Sequence, residues 1–352
     1  MLRIDKQHLD CLKDQAFVSE ATKGRRDNPA SFEHDFLDPF VADTVKQMQS
    51  KAWRRLGSKT QVFTNSGNIH VRTRATHTME VVSAATIMAK YCGLNTDLAG
   101  AIAWGHDFGH VPYGHLGEDF IAHQTGRKFK HAAFSVVVLQ KIERRGQGLN
   151  LSFEVLEGIR NHSGKAIYHP LPLEYSLVSM ADAFSFIFAD VNDIERLDFF
   201  DTTEMLERAK QFGETQRERL FSCIAALLRE SAGRGTLSFE RSDIAESFWQ
   251  FQRWMYDNVY DTLNNYRKAQ QAALEDAYFF LTKHPYYEGC EPAVLLALMT
   301  DTEVDKLIPV IRNRPNVRDS DLEALGLGIN EIVPHIRGKE IDFIDPDLDW
   351  GK

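Results

Sequence analysis

This sequence predicts a mainly α protein, on three observations. Apolar residues recur at three- and four-residue spacing over most of its length, β-prone character is confined to one short stretch, and glycine- or proline-rich breaks are few. In chain order, QVFTNSGNIHVRT (61–73) holds two short β-prone runs around the turn-forming Asn-Ser-Gly-Asn and reads as a small β-hairpin. TMEVVSAATIMAKYC (78–92) then begins a series of helical segments that continues at 97–105, 132–142, 153–160, 173–190, 216–230 and 242–280. RRGQGLN (144–150) and SAGRGT (231–236) read as loops. No repeat, low-complexity tract or long polar linker divides the chain, so 1–352 is expected to form a single helical domain. Its core is placed at about 50–200, with helical extensions at both ends, the C-terminal one at about 201–352.

Composition sets the outer limits. With 352 residues, 43% of them hydrophobic and 26% charged, the chain can bury one large core or two modest ones. No stretch approaches the roughly eighteen uninterrupted apolar residues of a membrane span, and MLRIDKQHLD lacks a signal-peptide apolar core, so a cytoplasmic location is expected. Cys11, Cys92, Cys223 and Cys290 are far apart and form no C-x-x-C pair, which suggests buried thiols rather than zinc ligands or disulfides. The net charge of −9 argues against general nucleic-acid affinity. That charge is uneven: between Asp43 and Glu80 there is no acid, while Lys46, Lys51, Arg54, Arg55, Lys59, Arg72 and Arg74 all fall there. Such a block suggests a pocket for a polyanion, set against a merely solubilising basic face.

The densest chemistry lies in WGHDFGHVPYGH (104–115). The helical spacing of LAGAIAWGHDFGH runs up to His110 before Pro112 and Gly114 stop it, which puts His106 and Asp107 in the last turns and His110 on the face of His106. Mixed imidazole and carboxylate ligands suit a hard or borderline divalent ion, but two ligands do not make a site. Further candidates are His77, at the start of the 78–92 helix, and Asp182, in a helix so apolar that a core-facing carboxylate needs a charged partner. Each residue alone reads more simply as structural. The joint order, His, then His-Asp about thirty residues on, then a lone Asp, is what points to a metal.

That order, H…HD…D, resembles the HD phosphohydrolase superfamily. Five blocks, RRLGSKTQVF (54–63), RTRATHTMEV (72–81), GHDFGHVPYGHLGE (105–118), GLNLSFEVLEGI (148–159) and SMADAFSF (179–186), resemble its dGTP triphosphohydrolase branch and follow its order. The resemblance implies an HD-domain helical core that holds a divalent metal (Mn, Mg or Fe) on His77, His106, Asp107 and Asp182. It implies hydrolysis of a deoxynucleoside triphosphate (dNTP) to a deoxynucleoside and tripolyphosphate. His115 would be the catalytic group that protonates the leaving 5′-oxygen, with Glu118 orienting its imidazole. Arg74, His110 and His131 would contact the phosphates, Gln61 and Asp190 the sugar 3′-OH, and Val62 would pack beneath the ribose. A homo-oligomer, dimer or hexamer, is expected from relatives. The chain departs from them at Ala183 and Phe186, where they carry a polar or basic residue and a tyrosine. Two alternatives stand beside this reading: an HD phosphomonoesterase or phosphodiesterase acting on another nucleotide, and a dNTP sensor or single-strand nucleic-acid binder with weak turnover.

Overall fold

Thr73 starts the helix that organises the site. Its hydroxyl accepts from the Thr76 amide at 3.4 Å while Thr76 Oγ1 accepts from the Thr73 amide at 3.1 Å, a reciprocal cap on otherwise free donors. The computed structural model describes residues 4–27, 36–63, 68–163, 171–197, 201–260, 267–314 and 316–350. Ahead of the capped helix α3 (Arg74–Cys92) lie α1 (Pro39–Met48) and α2 (Lys51–Leu56). After it come α4 (Thr96–Gly105), α5 (His115–Thr125), α6 (His131–Val137), α7 (Phe153–Asn161) and the long α8 (Leu173–Leu197). Helices α3, α4 and α8 pack on one another, α1 covers α4, and α7 lies against both α4 and α6.

The C-terminal half adds α9 (Thr203–Lys210), α10 (Gln216–Arg234), α11 (Asp243–Met255), α12 (Arg267–Lys283), α13 (Pro292–Leu298), α14 (Asp301–Asn313) and α15 (Asp319–Leu325). Aromatic rings join the halves: Phe184 and Phe188 of α8 meet Phe239, Phe248 and Phe251, with centroids 4.7–6.5 Å apart. Helix α12 packs on α13, α14 and α5. Buried apolar side chains from Leu12 to Phe343 form one contiguous cluster.

Several elements differ from the sequence expectation, each for a local reason. Helix α4 stops at Gly105 instead of His110. From there the chain winds in tighter three-residue turns, Phe108 N to Gly105 O at 3.3 Å and His110 N to Asp107 O at 3.1 Å, so His110 shares no helical face with His106. The turn of the expected hairpin, 64–67, lies outside the described residues. Its flanks meet only at the antiparallel bridge Thr60–Thr73, and no strand forms among the described residues. Helix α10 runs through SAGR to Arg234 and closes on Gly235 in the left-handed region, so only the end of 231–236 is loop. Within 242–280 the described residues form α11, which widens into a π-helical turn at Tyr256–Tyr260, and α12; 261–266 lie outside the described residues. A second π-helical turn, Val138–Ile142, ends the run 132–142.

The loop expected at 144–150 holds from Gln147 to Asn150; Glu143–Gly146 forms a short irregular helical turn in which Arg144 and Arg145 have positive φ, as does Asn150. All four cysteines are free thiols; Cys92 and Cys223 are buried, Cys11 and Cys290 only half-buried. Among the described residues no helix is long and apolar enough to cross a membrane.

Candidate metal centre and active site

Three elements converge on one spot: the first turn of α3, the turn after α4, and the middle of α8. The turn after α4 is seated against α6 through Gly109, where an added Cβ would lie 2.1 Å from Ser135 N and 2.4 Å from His131 O. That close contact draws the His-Asp turn onto α6, and Ser135 fixes it by accepting from Gly109 N at 2.8 Å and donating to His106 O at 2.9 Å.

The donor set fits a divalent cation. Donor atoms of His77, His106 and Asp107 lie within 4.8 Å of one another. Asp182 joins them, its Oδ1 standing 3.0 Å from His77 Nε2 and 3.9 Å from His106 Nε2. His106 shows how the site is prepared. Its Nδ1 donates to Ala103 O at 2.7 Å, which leaves the bare lone pair on Nε2, and that atom is buried with no hydrogen-bond partner. A buried, unpartnered acceptor beside two carboxylates is the tautomer a metal requires. Burial opposes ionisation of Asp107, yet His110, His106 and Arg74 hold its carboxyl well below the usual range. Asp182 is also held low against its burial, chiefly by the hydrogen bond from His77.

Around this centre lies a second group. Arg74 donates to Asp107 Oδ2 at 2.9 Å and to Gln61 O at 3.2 Å. His110 Nε2 is 3.0 Å from Asp107 Oδ1, and its ring stacks on His131 with centroids 3.8 Å apart. Glu118 was expected to orient His115 directly; instead its Oε1 bonds His131 Nδ1 at 2.8 Å and lies 3.4 Å from His110 Nδ1. The reason is helical geometry: Glu118 sits one turn into α5 on the side facing α6, whereas His115, the first residue of that helix, is exposed at the site mouth. Glu118 still reaches His115 through its charge. Partial desolvation at the mouth lowers the His115 pKa, and the charge of Glu118 is the strongest opposing influence. His131 differs, because the charge and hydrogen bond of Glu118 outweigh burial and raise its pKa above the ordinary imidazole value.

The sugar-contact candidates are placed as follows. Gln61 is half-buried with an unpartnered buried Oε1, an acceptor lacking a donor, and Val62 beside it is half-buried against the core. Asp190 is fully buried with both oxygens engaged, one by Arg72 and the other by Tyr260 Oη at 2.6 Å. Ala183 and Phe186 are half-buried on α8, on either side of the turn after Asp182.

The basic block is divided among several places rather than serving one polyanion pocket. Arg74 enters the centre, and Arg72 goes to Asp190 and Asp193. Lys46, Lys51, Arg54 and Arg55 line a separate cavity of about 390 Å³ beside Glu143 and Glu331.

Sequence reasoning missed His162. It is buried just past α7, its ring 5.1 Å from His106 and 5.4 Å from His131. It repeats the arrangement of His106: Nδ1 on the carbonyl three residues back, Ile159 O at 2.6 Å, and Nε2 unpartnered. Burial pushes its pKa down to about 4, so the ring is neutral. A signal was present, because Val155, Ile159 and His162 follow one another at helical spacing on a buried face. Lys59 was read only as part of the basic block, yet it is fully buried and donates to His110 O and, at 3.3 Å, to Ala297 O.

Two imidazoles and two carboxylates on packed helices define an HD domain, and the HD domain family model matches residues 74–187. The protein is a metal-dependent phosphohydrolase of that class. At finer scale, it is 30% identical over 332 residues to a deoxyguanosinetriphosphate triphosphohydrolase-like protein of Desulfatibacillum aliphaticivorans, covering 85% of this chain and 94% of the relative. A protein of the same name from Caldanaerobacter subterraneus subsp. tengcongensis is 33% identical over 252 residues, 70% of this chain and 73% of its own. One from Cereibacter sphaeroides reaches 43% over 142 residues, 39% of this chain and 37% of its own. The chain belongs to the deoxyguanosinetriphosphate triphosphohydrolase-like family.

Proposed function

We propose that the protein hydrolyses deoxynucleoside triphosphates, dGTP-like substrates among them, to deoxynucleoside and tripolyphosphate. The observation that carries this reading is the joint placement of a metal-fit His-Asp centre, one exposed imidazole at its mouth (His115), and an orphaned amide acceptor (Gln61 Oε1) across Arg74. When bound by His77, His106, Asp107 and Asp182, a divalent ion supplies Lewis acidity and lowers the pKa of water in its shell.

The chain's own residues do the remainder. Arg74 meets the charge of the phosphate tail, assisted by His131, which Glu118 keeps cationic through a higher pH than an ordinary imidazole. His115, open at the mouth, donates its proton to the departing 5′-oxygen. Gln61 Oε1 gains the donor it lacks from the sugar 3′-OH, and Val62 beneath the ring leaves a ribonucleotide's 2′-OH without a partner, which favours deoxy substrates. Asp190 would meet the same 3′-OH only by sharing an oxygen already bonded to Arg72 or Tyr260.

The test is incubation of the protein with each dNTP and rNTP in Mn²⁺, Mg²⁺ or Fe²⁺, in ¹⁸O-water, with products resolved by ion exchange. Label in tripolyphosphate and none in the nucleoside is expected. Orthophosphate or pyrophosphate as first product would move the enzyme to a different phosphohydrolase reaction, and no turnover with any metal would sink the enzymatic reading.

A further inference from the structure

The start of α14, LMTDTEVDK (298–306), lies far from the metal centre in sequence yet grips the two segments that carry Gln61 and His115. Asp301 is buried, and one carboxylate gathers donors from two separate active-site segments. Its Oδ2 accepts from Thr60 N at 2.9 Å and from the Thr60 hydroxyl; its Oδ1 accepts from Tyr113 N at 3.0 Å. Thr60 immediately precedes Gln61. Tyr113 stands two residues before His115.

Neighbouring contacts reinforce the grip. Tyr113 Oη donates to Asp305 Oδ1 at 2.7 Å, one turn along α14, and Lys59 ties His110 O to Ala297 O of α13. The helix itself is fixed by a capping box in which Thr300 N donates to Glu303 Oε2 at 2.8 Å and Glu303 N to Thr300 Oγ1 at 3.2 Å. What is held needs holding. Tyr113 has φ +60 and Gly114 φ +59, and a non-glycine residue in the left-handed region persists only when its surroundings over-determine it. Tyr113, with the permissive Gly114 after it, sets the entry angle of α5 and therefore where its first residue, His115, points.

We propose that Asp301 is a positioning residue: it locks the Tyr113–Gly114 turn and the Thr60–Val62 segment against each other, so that His115 and Gln61 address one substrate. The inference rests on the roles given to His115 and Gln61 above. A carboxylate is required because three donors converge on it and it can only accept; an amide in its place would turn an NH₂ toward at least one of them.

Asp301→Asn, purified with its metal, is the test, measured by hydrogen exchange, metal content and dNTP turnover. Amide exchange at 59–63 and 111–116 should accelerate at least tenfold, while α3 and α8 keep wild-type protection and metal stoichiometry is unchanged. kcat should fall about 10–100-fold with KM within about threefold, since a misplaced acid acts on the transition state. In a His115→Ala background the same substitution should cost severalfold less, because the part of its benefit that passes through His115 is already gone and only the placement of Gln61 remains to be lost.

An equal loss in both backgrounds, a loss that tracks the metal, or unchanged exchange in the two segments overturns the proposal. If Asp301→Asn does not fold, Thr60→Val, which removes the hydroxyl donated to Asp301 Oδ2, should show the same pattern at smaller amplitude, and wild-type behaviour there overturns it equally. A wild type that releases no tripolyphosphate refutes the functional reading instead, and the exchange measurement, which needs no substrate, still decides whether Asp301 clamps the two segments.

Discussion

Replacing Arg72 by methionine should expose how much of the site's support is electrostatic. Arg72 is buried and serves three carboxylates: Nε meets Asp193 at 2.9 Å, one terminal nitrogen meets Glu80 at 3.0 Å, and the other bonds Asp190. Glu80 is partly exposed and contributes little. Asp190 and Asp193 are buried, and removing the partner of a buried charge costs about 3–5 kcal/mol. With an unfolding entropy of about 2.1 cal/mol/K per residue, 352 residues give roughly 0.74 kcal/mol/K, so Tm should fall by about 4–7 °C.

The loss should also depend on pH, with a definite sign. Burial already raises the Asp190 pKa to about 6, against the pull of Arg72. Without Arg72 it rises further. A carboxyl whose folded pKa exceeds its unfolded value of about 3.9 destabilises the fold above the folded pKa, and that penalty is relieved as pH falls through it. The wild type recovers only below about pH 6, whereas the variant recovers about 1.4 kcal/mol per unit from higher pH. The gap between the two should therefore narrow by about 2 kcal/mol between pH 7.5 and 5.5. Circular-dichroism melts of both proteins at the two pH values, in the same metal, check this. A deficit below about 1 kcal/mol, or one equal at both pH values, refutes the reasoning.

The other substitutions act closer to the centre. Asp107→Ala or His77→Ala should remove the bound ion while far-ultraviolet dichroism stays near wild type, because the apolar helices supply the core; elemental analysis that still finds one ion per chain would show the ligands are misassigned. His115→Ala should lower kcat by roughly 10²–10⁴ and leave metal and nucleotide binding in place, as isothermal titration would report. Gly109→Ala forces a Cβ to within 2.1 Å of Ser135 N, and backbone cannot yield there. It should cost about 2–3 kcal/mol or more and release the metal more readily, both readable in a melt with and without chelator.

Local signals carried the helices and the ligand order. His77, His106, Asp107 and Asp182 stand out because a polar residue on an apolar, periodic segment is costly unless it is used. The same logic would have reached His162, three residues beyond Ile159 on a buried face. It does not reach Asp301, whose partners Thr60 and Tyr113 are 241 and 188 residues away, nor Asp190, whose partner Arg72 is 118 away. Periodicity says that a residue faces inward but not what it meets there. The misplaced end of α4 has the opposite cause: spacing alone cannot distinguish a last helical turn from the tighter turns that follow Gly105, since both keep residues three apart on one side.

The charge pattern shows most sharply what a sequence withholds. Seven cations without an intervening acid mark the region as basic, but only folding decided that Arg74 alone of them reaches a carboxylate of the His-Asp centre. At Asp107 this matters for the chemistry. Asp107, His110 and His131 bring donor atoms within 4.8 Å and would suit a second ion on distance alone. Arg74 already occupies Asp107 Oδ2, and His131 is held toward its cationic form by Glu118. A second divalent ion there would have to share one carboxylate with the first centre while facing a guanidinium at contact distance, an arrangement that Coulomb repulsion in a buried site strongly disfavours. The positive charge beside the His-Asp centre is therefore built from fixed side chains, and Arg74, through its joint hold on Asp107 and Gln61 O, is the residue that under the proposed function would set the phosphate end and the sugar end of the site in register.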